Sequence, residues 1–599
     1  MDETDSHSHQ EWKKRDALKK GILMSTLNEL IETFRRGKPL PVKEITPYLS
    51  SDDLNEKIVA LGLMAGESLR RGNPQEAINY LEKANEVSGY QDEVVLGNIS
   101  NICERTNDYE PLVRAIFKWA FRAFEDKRFE EALEAFYAGW FHDGQKLNIK
   151  FGQDISFLEK VAKTYGNIAK CYQPEYAITT ASQQPRATQK LNIAHIVGNI
   201  VDDTHSPTKI LKSFIKHHNY ERFKVRVYSS EINCQRKRPK FLLQIVSGDS
   251  YQRGAKTLNY FKERDIPFYA APLDGSYIDS ALDLAESLRE DEIDVALFHS
   301  SIACVIEWLV AYWRVAEVQI NINMGLPMFT PGIDCVTYFA ESTFKGDLKY
   351  WEKRGIKSCL MSSGVDIDEE NKGEPPDRLE FNIPAQGIIL STSGNHLPAR
   401  MSNEFLKVIS KILKGSKDTY YLIIGEGDFS RQKEFFEKEN VMDRIRFTGV
   451  RWDVPVLIKM IDIYLNEFPA GGGMSVLEAM AAKKPAVDMR YSDEHLHSAG
   501  ASLVGPDFTI EGKDYEGYVR KVLKLIKDSG FRKESGRKMR KRYEELFSAE
   551  RMVREFEELS LSFFPEFGTT NKDELAQTIN GTTNKHECAR KFITTNKHE

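Results

Sequence analysis

The sequence predicts an all-α region followed by two doubly wound, parallel α/β domains. Three observations carry this. Residues 12 to about 175 space their apolar side chains three and four apart, as in AINYLEKANEV and FEEALEAFYAGW, with no strand-like alternation. From residue 191, short apolar runs ending in Gly, Asn or Asp alternate with helical segments, the rhythm of a β–α–β unit. That rhythm breaks off near 380 and restarts at 387. A chain of 599 residues, at roughly 150 per domain, has room for three or four such units.

Within the helical region, RGNPQEAINYLEKA (71–84) and RTNDYEPLVRAIFK (105–118) share a small polar turn, an acidic residue and an amphipathic helix. Asn73 to Asn107 is a 34-residue step, the period of a tetratricopeptide (TPR) hairpin. A third phrase, DKRFEEALEAF (126–136), falls out of phase, so an irregular, TPR-like array is expected over 1–175. Such an array offers a groove for a polypeptide or a face for packing or dimerisation, and the sequence leaves both open. The polar stretch 176–190, with Pro185, reads as a linker.

The first α/β domain is expected over 191–380. LNIAHIVGNI (191–200) is a buried strand running into a turn, THSPTKILKSFIKHH opens a helix with Thr204 and Ser206 as cap candidates, and FKVRVYSS is the next strand. IDVALFHSS, a helix at 303–314, VQININMG and CVTYFAES continue the alternation. The second domain, 381–545, runs through GIILSTSG (387–394), a helix from about 401, TYYLIIGEGD, a helix near 430–440, RIRFTGV, IDIYLNEFP and GGGMSVLEAMAAKKPAVDM. A last amphipathic helix, 546–565, is expected to pack back onto the first α/β domain. Residues 566–599 are polar, repeat TTNKHE at 582–587 and 594–599, and read as a disordered tail.

Composition narrows the function. Hydrophobic residues are 41% and charged residues 29%, which excludes collagen-like and disordered classes. With 83 Lys and Arg against 89 Asp and Glu, the net charge of −6 provides no global basic field for nucleic acid or an anionic membrane. Seven scattered cysteines without a CxxC pair, and a polar start with no apolar signal core, point to reduced thiols and a cytoplasmic protein. The basic run QRKRPK (235–240) reads as a solvated loop, so membrane docking is not indicated.

In parallel-sheet domains ligands bind beyond the C-terminal strand ends, so residues that follow strands are the candidates. In FPAGGGMSVLEAM a strand ends at Phe468. Gly471, Gly472 and Gly473 let the backbone approach a ligand, and a helix starting at Met474 offers unpaired N–H groups and a positive dipole end, together a cradle for phosphate. Ser475 adds a hydroxyl, and Glu478, on the same helical face, can accept from two vicinal hydroxyls such as those of a ribose. Arg400, just past the first strand of the second domain, can neutralise a diphosphate leaving group without a metal. His205, in the turn after the first strand of the first domain, can take a proton from an acceptor hydroxyl. Asn199, Asp203, His299, Gly325, Asn395 and Gly425 stand at further strand ends. Each has a plainer reading as a tight turn, a solvated side chain or a surface loop. GxxxxGK[ST] does not occur, and no GxGxxG follows the first strand, which argues against P-loop and dinucleotide enzymes.

GNHLPAR (394–400), YLIIGEGD, DRIRFTGV and MSVLEAMAAKKPAV, in that order and spacing, resemble the second-domain signature of the nucleotide-sugar-dependent GT-B glycosyltransferases. The resemblance covers about 190–560 and implies two Rossmann-like domains, Arg400 on the diphosphate, the 471–473 turn around phosphate and Glu478 on the ribose. Two positions depart from the pattern: Asn395 stands where an arginine is common, and Ala470 where retaining members carry the first glutamate of their EX7E motif. LNIAHIVGNIVDDTHSPTKILKSF, FKVRVYSS and VQININMGLPMFTPGIDCVTYF resemble the O-GlcNAc transferase and bacterial protein N-glycosyltransferase families, which also carry helical repeats before their GT-B domains. That likeness places His205 on the family's functional cleft histidine. GGG replaces the family's His-Thr-Thr phosphate segment, and Ser475 its aspartate.

The resemblance implies a cytoplasmic, metal-independent transferase that moves a hexosyl or N-acetylhexosaminyl group from a nucleotide-diphosphate sugar, UDP-sugar favoured, to a protein Ser, Thr or Asn side chain. No cofactor and no nucleic-acid partner are expected, and the helical domain is the expected contact for a polypeptide or a second copy. The competing readings are a polysaccharide or lipid-linked glycan transferase and a TPR-type scaffold with a degenerate GT-B part.

Overall fold

The computed structural model describes residues 27–106, 108–144, 150–174, 190–201, 205–231, 241, 249–271, 276–339, 341–367, 372–394, 397–469, 471–490 and 499–564. The expected linker 176–190, apart from Lys190, and the expected tail 566–599 lie outside these residues, as do Asp203, Thr204, Asn395, Ala470 and the basic run 235–240. The chain divides into two compact units, Met1–Leu147 with Arg238–Ile245, and Asn148–Lys237 with Val246–Glu599.

The first unit is built on antiparallel helices: α1 (Leu54–Arg70), α2 (Pro74–Val87), α3 (Glu93–Thr106), α4 (Glu110–Glu125) and α5 (Phe129–His142). Their starts follow from the sequence. Asp53 caps α1 by accepting from the Asn55 and Glu56 amides, and Asn73 caps α2 ahead of Pro74, whose missing N–H costs nothing in a first turn. The two matching phrases of the sequence lead into α2 and α4, whereas the out-of-phase third leads into α5, the hairpin partner of α4. Between these two helices Gly139 packs so tightly that a Cβ would lie 2.6 Å from the Phe117 ring. The compact unit ends before the helix Ile155–Cys171 (α6), which belongs to the second unit. There Trp313 Nε1 donates to the Ala169 carbonyl at 2.9 Å, and the Tyr165 ring meets Trp308 edge-on.

The second unit holds two parallel sheets. The first comprises β1 (Leu191–Asn199), β2 (Phe223–Glu231), β3 (Phe268–Ala270), β4 (Val295–His299), β5 (Val318–Ile322), β6 (Cys335–Tyr338) and β7 (Lys357–Leu360), in the order β3-β2-β1-β4-β5-β6-β7. The second comprises β8 (Ile388–Ser393), β9 (Thr419–Ile424), β10 (Ile445–Phe447), β11 (Ile463–Leu465), β12 (Ala486–Arg490) and β13 (Thr509–Glu511), in the order β10-β9-β8-β11-β12-β13. Strand order therefore reverses between β1 and β4 in one sheet and between β8 and β11 in the other. Those are the topological switch points where doubly wound sheets open a crevice.

The crossover helix after β1 is α7 (Ser206–His217). His205 is its N-cap, and Ser206, expected as a cap, is instead the first helical residue. The last helix, Ala549–Leu561 (α8), lies on the first sheet: Met552, Val553, Phe556 and Leu559 share a core with Ile193, Val197 and Phe214. Gly364, in the crossover between the domains, passes so close to the start of α8 that a Cβ would sit 2.4 Å from the Ser548 carbonyl. No helix among the described residues is long and apolar enough to cross a membrane.

Candidate functional site

At the switch point of the second sheet, β8 runs through Gly394 to a helical turn, Leu397–Arg400, and β11 runs through Asn466, Glu467 and Phe468 to the glycine turn and the helix Met474–Ala481 (α9). The turn demands glycine. A Cβ on Gly471 would stand 2.3 Å from Asn466 Nδ2 and 2.4 Å from the Glu467 carbonyl, contacts no side chain can make. Asn466 Nδ2 pins the turn by donating to the Gly472 carbonyl at 3.1 Å and to Asp488 at 2.7 Å. A Cβ on Gly472 would lie 3.7 Å from Arg400 Nη1, so the guanidinium rests against the turn. At Gly425 the missing Cβ lets the β9 end pass Gly394, whose carbonyl would otherwise be 2.2 Å away.

Arg400 Nη1 donates to Glu467 Oε1 at 3.3 Å. Glu467 is fully buried, and burial raises its pKa against the opposing pull of Arg400. Its Oε2 has no hydrogen-bond partner. A buried polar atom without a partner is rare enough to mark a site. The guanidinium, 28% exposed, is thus held from beneath and open on one side.

On α9 the expected donor contacts are already engaged. The Ser475 hydroxyl donates to the Ser393 carbonyl at 3.0 Å, which ties α9 to β8 and takes the proton a phosphate would need. Glu478 Oε1 accepts from Lys209 Nζ at 2.7 Å, with the two side chains 6% and 5% exposed. Lys209 comes from α7 of the first α/β domain, so this buried ion pair joins the two domains. The Met474 side chain packs against both hydrophobic cores.

The switch point of the first sheet is built from histidines. His205 Nδ1 lies 2.9 Å from Thr208 Oγ1, which also accepts from the Val201 amide. Asn199 is the last residue of β1, and Gly325, beyond β5, donates its amide to Asn323 Oδ1. His299 belongs to a buried chain and is not a separate loop residue. Its Nε2 is 2.8 Å from His195 Nδ1, His195 Nε2 is 2.8 Å from His218 Nε2, and His218 Nδ1 is 2.8 Å from Glu557 Oε1. A carboxylate only accepts, so His218 carries a proton on Nδ1. At the other end of the chain His299 Nδ1 has no hydrogen-bond partner. Burial, then the neighbouring His218, pushes His299 down to about 3, and burial holds His195 well below its usual value, so both rings are neutral at pH 7.

Sequence reading missed Glu467, Lys209, His195, His218 and Glu557. Glu467 had a signal, an acid directly after the apolar strand in IDIYLNEFP. The others depend on contacts 23 to 339 residues apart, which spacing cannot reveal.

Residues 389–528 match the family of glycosyl transferases group 1, so the second α/β domain is a glycosyltransferase domain. Among solved structures, an O-GlcNAc transferase mutant from Thermobaculum terrenum is 17% identical over 91% of this chain and 98% of its own, with a TM-score of 0.54. A glycosyltransferase from Rickettsia africae (16% identical, 64% of this chain and 100% of its own, TM-score 0.47) and Anabaena HepE in complex with UDP and glucose (12%, 62% and 100%, 0.47) align over less of the chain. No curated protein matches the sequence. Two Rossmann-like domains make the GT-B architecture, and with the helical region before them the fold resembles that of O-GlcNAc transferase.

Proposed function

We propose that this protein transfers a hexosyl or N-acetylhexosaminyl group from a nucleoside-diphosphate sugar, with UDP-sugars the first choice, to a Ser, Thr or Asn side chain of a polypeptide. The observation that carries this reading is the convergence of Arg400, the Gly471–Gly473 turn and the N-terminus of α9 at one switch point. Arg400 and the first amides of α9 meet the charge that develops on the departing diphosphate, a task for which no metal is required of them.

In the reaction the bond from the anomeric carbon to the phosphate oxygen breaks, and its electron pair leaves with the diphosphate. The acceptor oxygen or amide nitrogen bonds to the anomeric carbon, and its proton passes to His205 Nε2, which is basic when Nδ1–H donates to Thr208 Oγ1.

The test is to incubate the full chain with UDP- and GDP-sugars and cell lysate and to look for hexose or N-acetylhexosamine mass on polypeptide. Sugar added to protein supports the reading. Transfer only to glycan or lipid replaces the acceptor, and no donor turnover at all overturns it.

A further inference from the structure

We infer that Lys209, on the first α/β domain, is a positioning residue for the nucleotide ribose held by Glu478 on the second. This rests on the donor reading above. The pair is 2.7 Å long, both side chains are almost wholly buried, and it spans the two domains. Removing either partner from such a pair strands a charge away from water, so a ribose hydroxyl, a neutral donor, is a poor substitute for the ammonium. A carboxylate has about four acceptor positions, and Lys209 uses one of those on Oε1, so vicinal hydroxyls can be added without expelling the lysine. Lys209 then fixes the Glu478 rotamer.

The same helix carries His205 one turn earlier, since the Lys209 amide bonds the His205 carbonyl at 3.1 Å. The contact with Glu478 therefore also ties the helix that carries the proposed proton acceptor to the donor domain.

The experiment measures equilibrium binding of UDP and 2′,3′-dideoxy-UDP, and of the matching guanine pair, to the full chain as wild type, Lys209→Met and Lys209→Arg, with thermal melts to confirm folding. The wild type is expected to prefer the ribose ligand by about 10- to 100-fold, the size of one or two hydrogen bonds to a charged group. Lys209→Met is expected to lose most of that preference and Lys209→Arg to recover it; a lysine that only stabilised the fold would lower the melt and leave the ratio alone. If folded Lys209→Met keeps the full ratio, or binds UDP more tightly, the lysine is a competitor or a bystander and the inference falls. If the wild type binds none of the nucleotides, the donor reading falls and takes the inference with it.

Discussion

The two sheets share one strand order through their first six strands, yet their switch points hold opposite chemistry. Beyond β8 and β11 stand a guanidinium, a glycine turn and a helix N-terminus, which together suit an anion. Beyond β1 stands His205, and β1 and β4 themselves carry His195 and His299, two buried imidazoles kept neutral by burial, which suit hydroxyls and a moving proton. The same backbone topology positions both sets, and the difference lies in a few residues after each strand, so function here is set by the strand-end residues more than by the fold.

The sharpest way to break this contrast is to remove one group from each side. His205→Ala should lower the transfer rate about 10²- to 10⁴-fold, the range for a lost general base, and leave nucleotide affinity unchanged. Arg400→Ala should cost about 10²- to 10³-fold in turnover, as for a lost donor to a developing oxyanion, and weaken nucleotide binding as well. Steady-state rates alongside calorimetric titration with UDP separate the two.

Smaller effects sharpen it. Gly471→Ala forces a Cβ against backbone and Asn466 and should lower stability by about 1–3 kcal/mol, whereas Gly472→Ala, with neighbours at 3.5 Å and beyond, should leave the thermal midpoint nearly unchanged. The neutral histidines predict a pH dependence of opposite origin. His299 titrates near 3 when folded and near 6.5 when unfolded, so the unfolded chain binds more protons between those values. Its contribution is present above about 6.5 and is lost as pH falls, at up to about 1.4 kcal/mol per pH unit. His299→Gln should flatten the fall in urea midpoint between pH 6.5 and 5, and an unchanged slope would place the acid sensitivity elsewhere.

Much of the fold was legible because its signals are local. Apolar runs such as LNIAHIV and TYYLII punctuated by Gly, Asn and Asp give buried parallel strands, and their restart at 387 gives the second domain. The positions of Arg400, the glycine turn and His205 after strands follow from the same punctuation. What stayed hidden is long-range: Lys209 reads as an ordinary basic residue on an amphipathic helix until Glu478 lies beside it, and His195 as one polar letter within a strand until His218 and His299 flank it. Ser475 shows the converse, a well-placed hydroxyl whose proton is taken by the Ser393 carbonyl.

The most direct test of the division between the sheets is UDP affinity measured side by side for wild type, Arg400→Ala and His205→Ala. Loss of affinity in Arg400→Ala with wild-type affinity in a turnover-dead His205→Ala is the predicted result. An Arg400→Ala protein that binds UDP as tightly as wild type would contradict it.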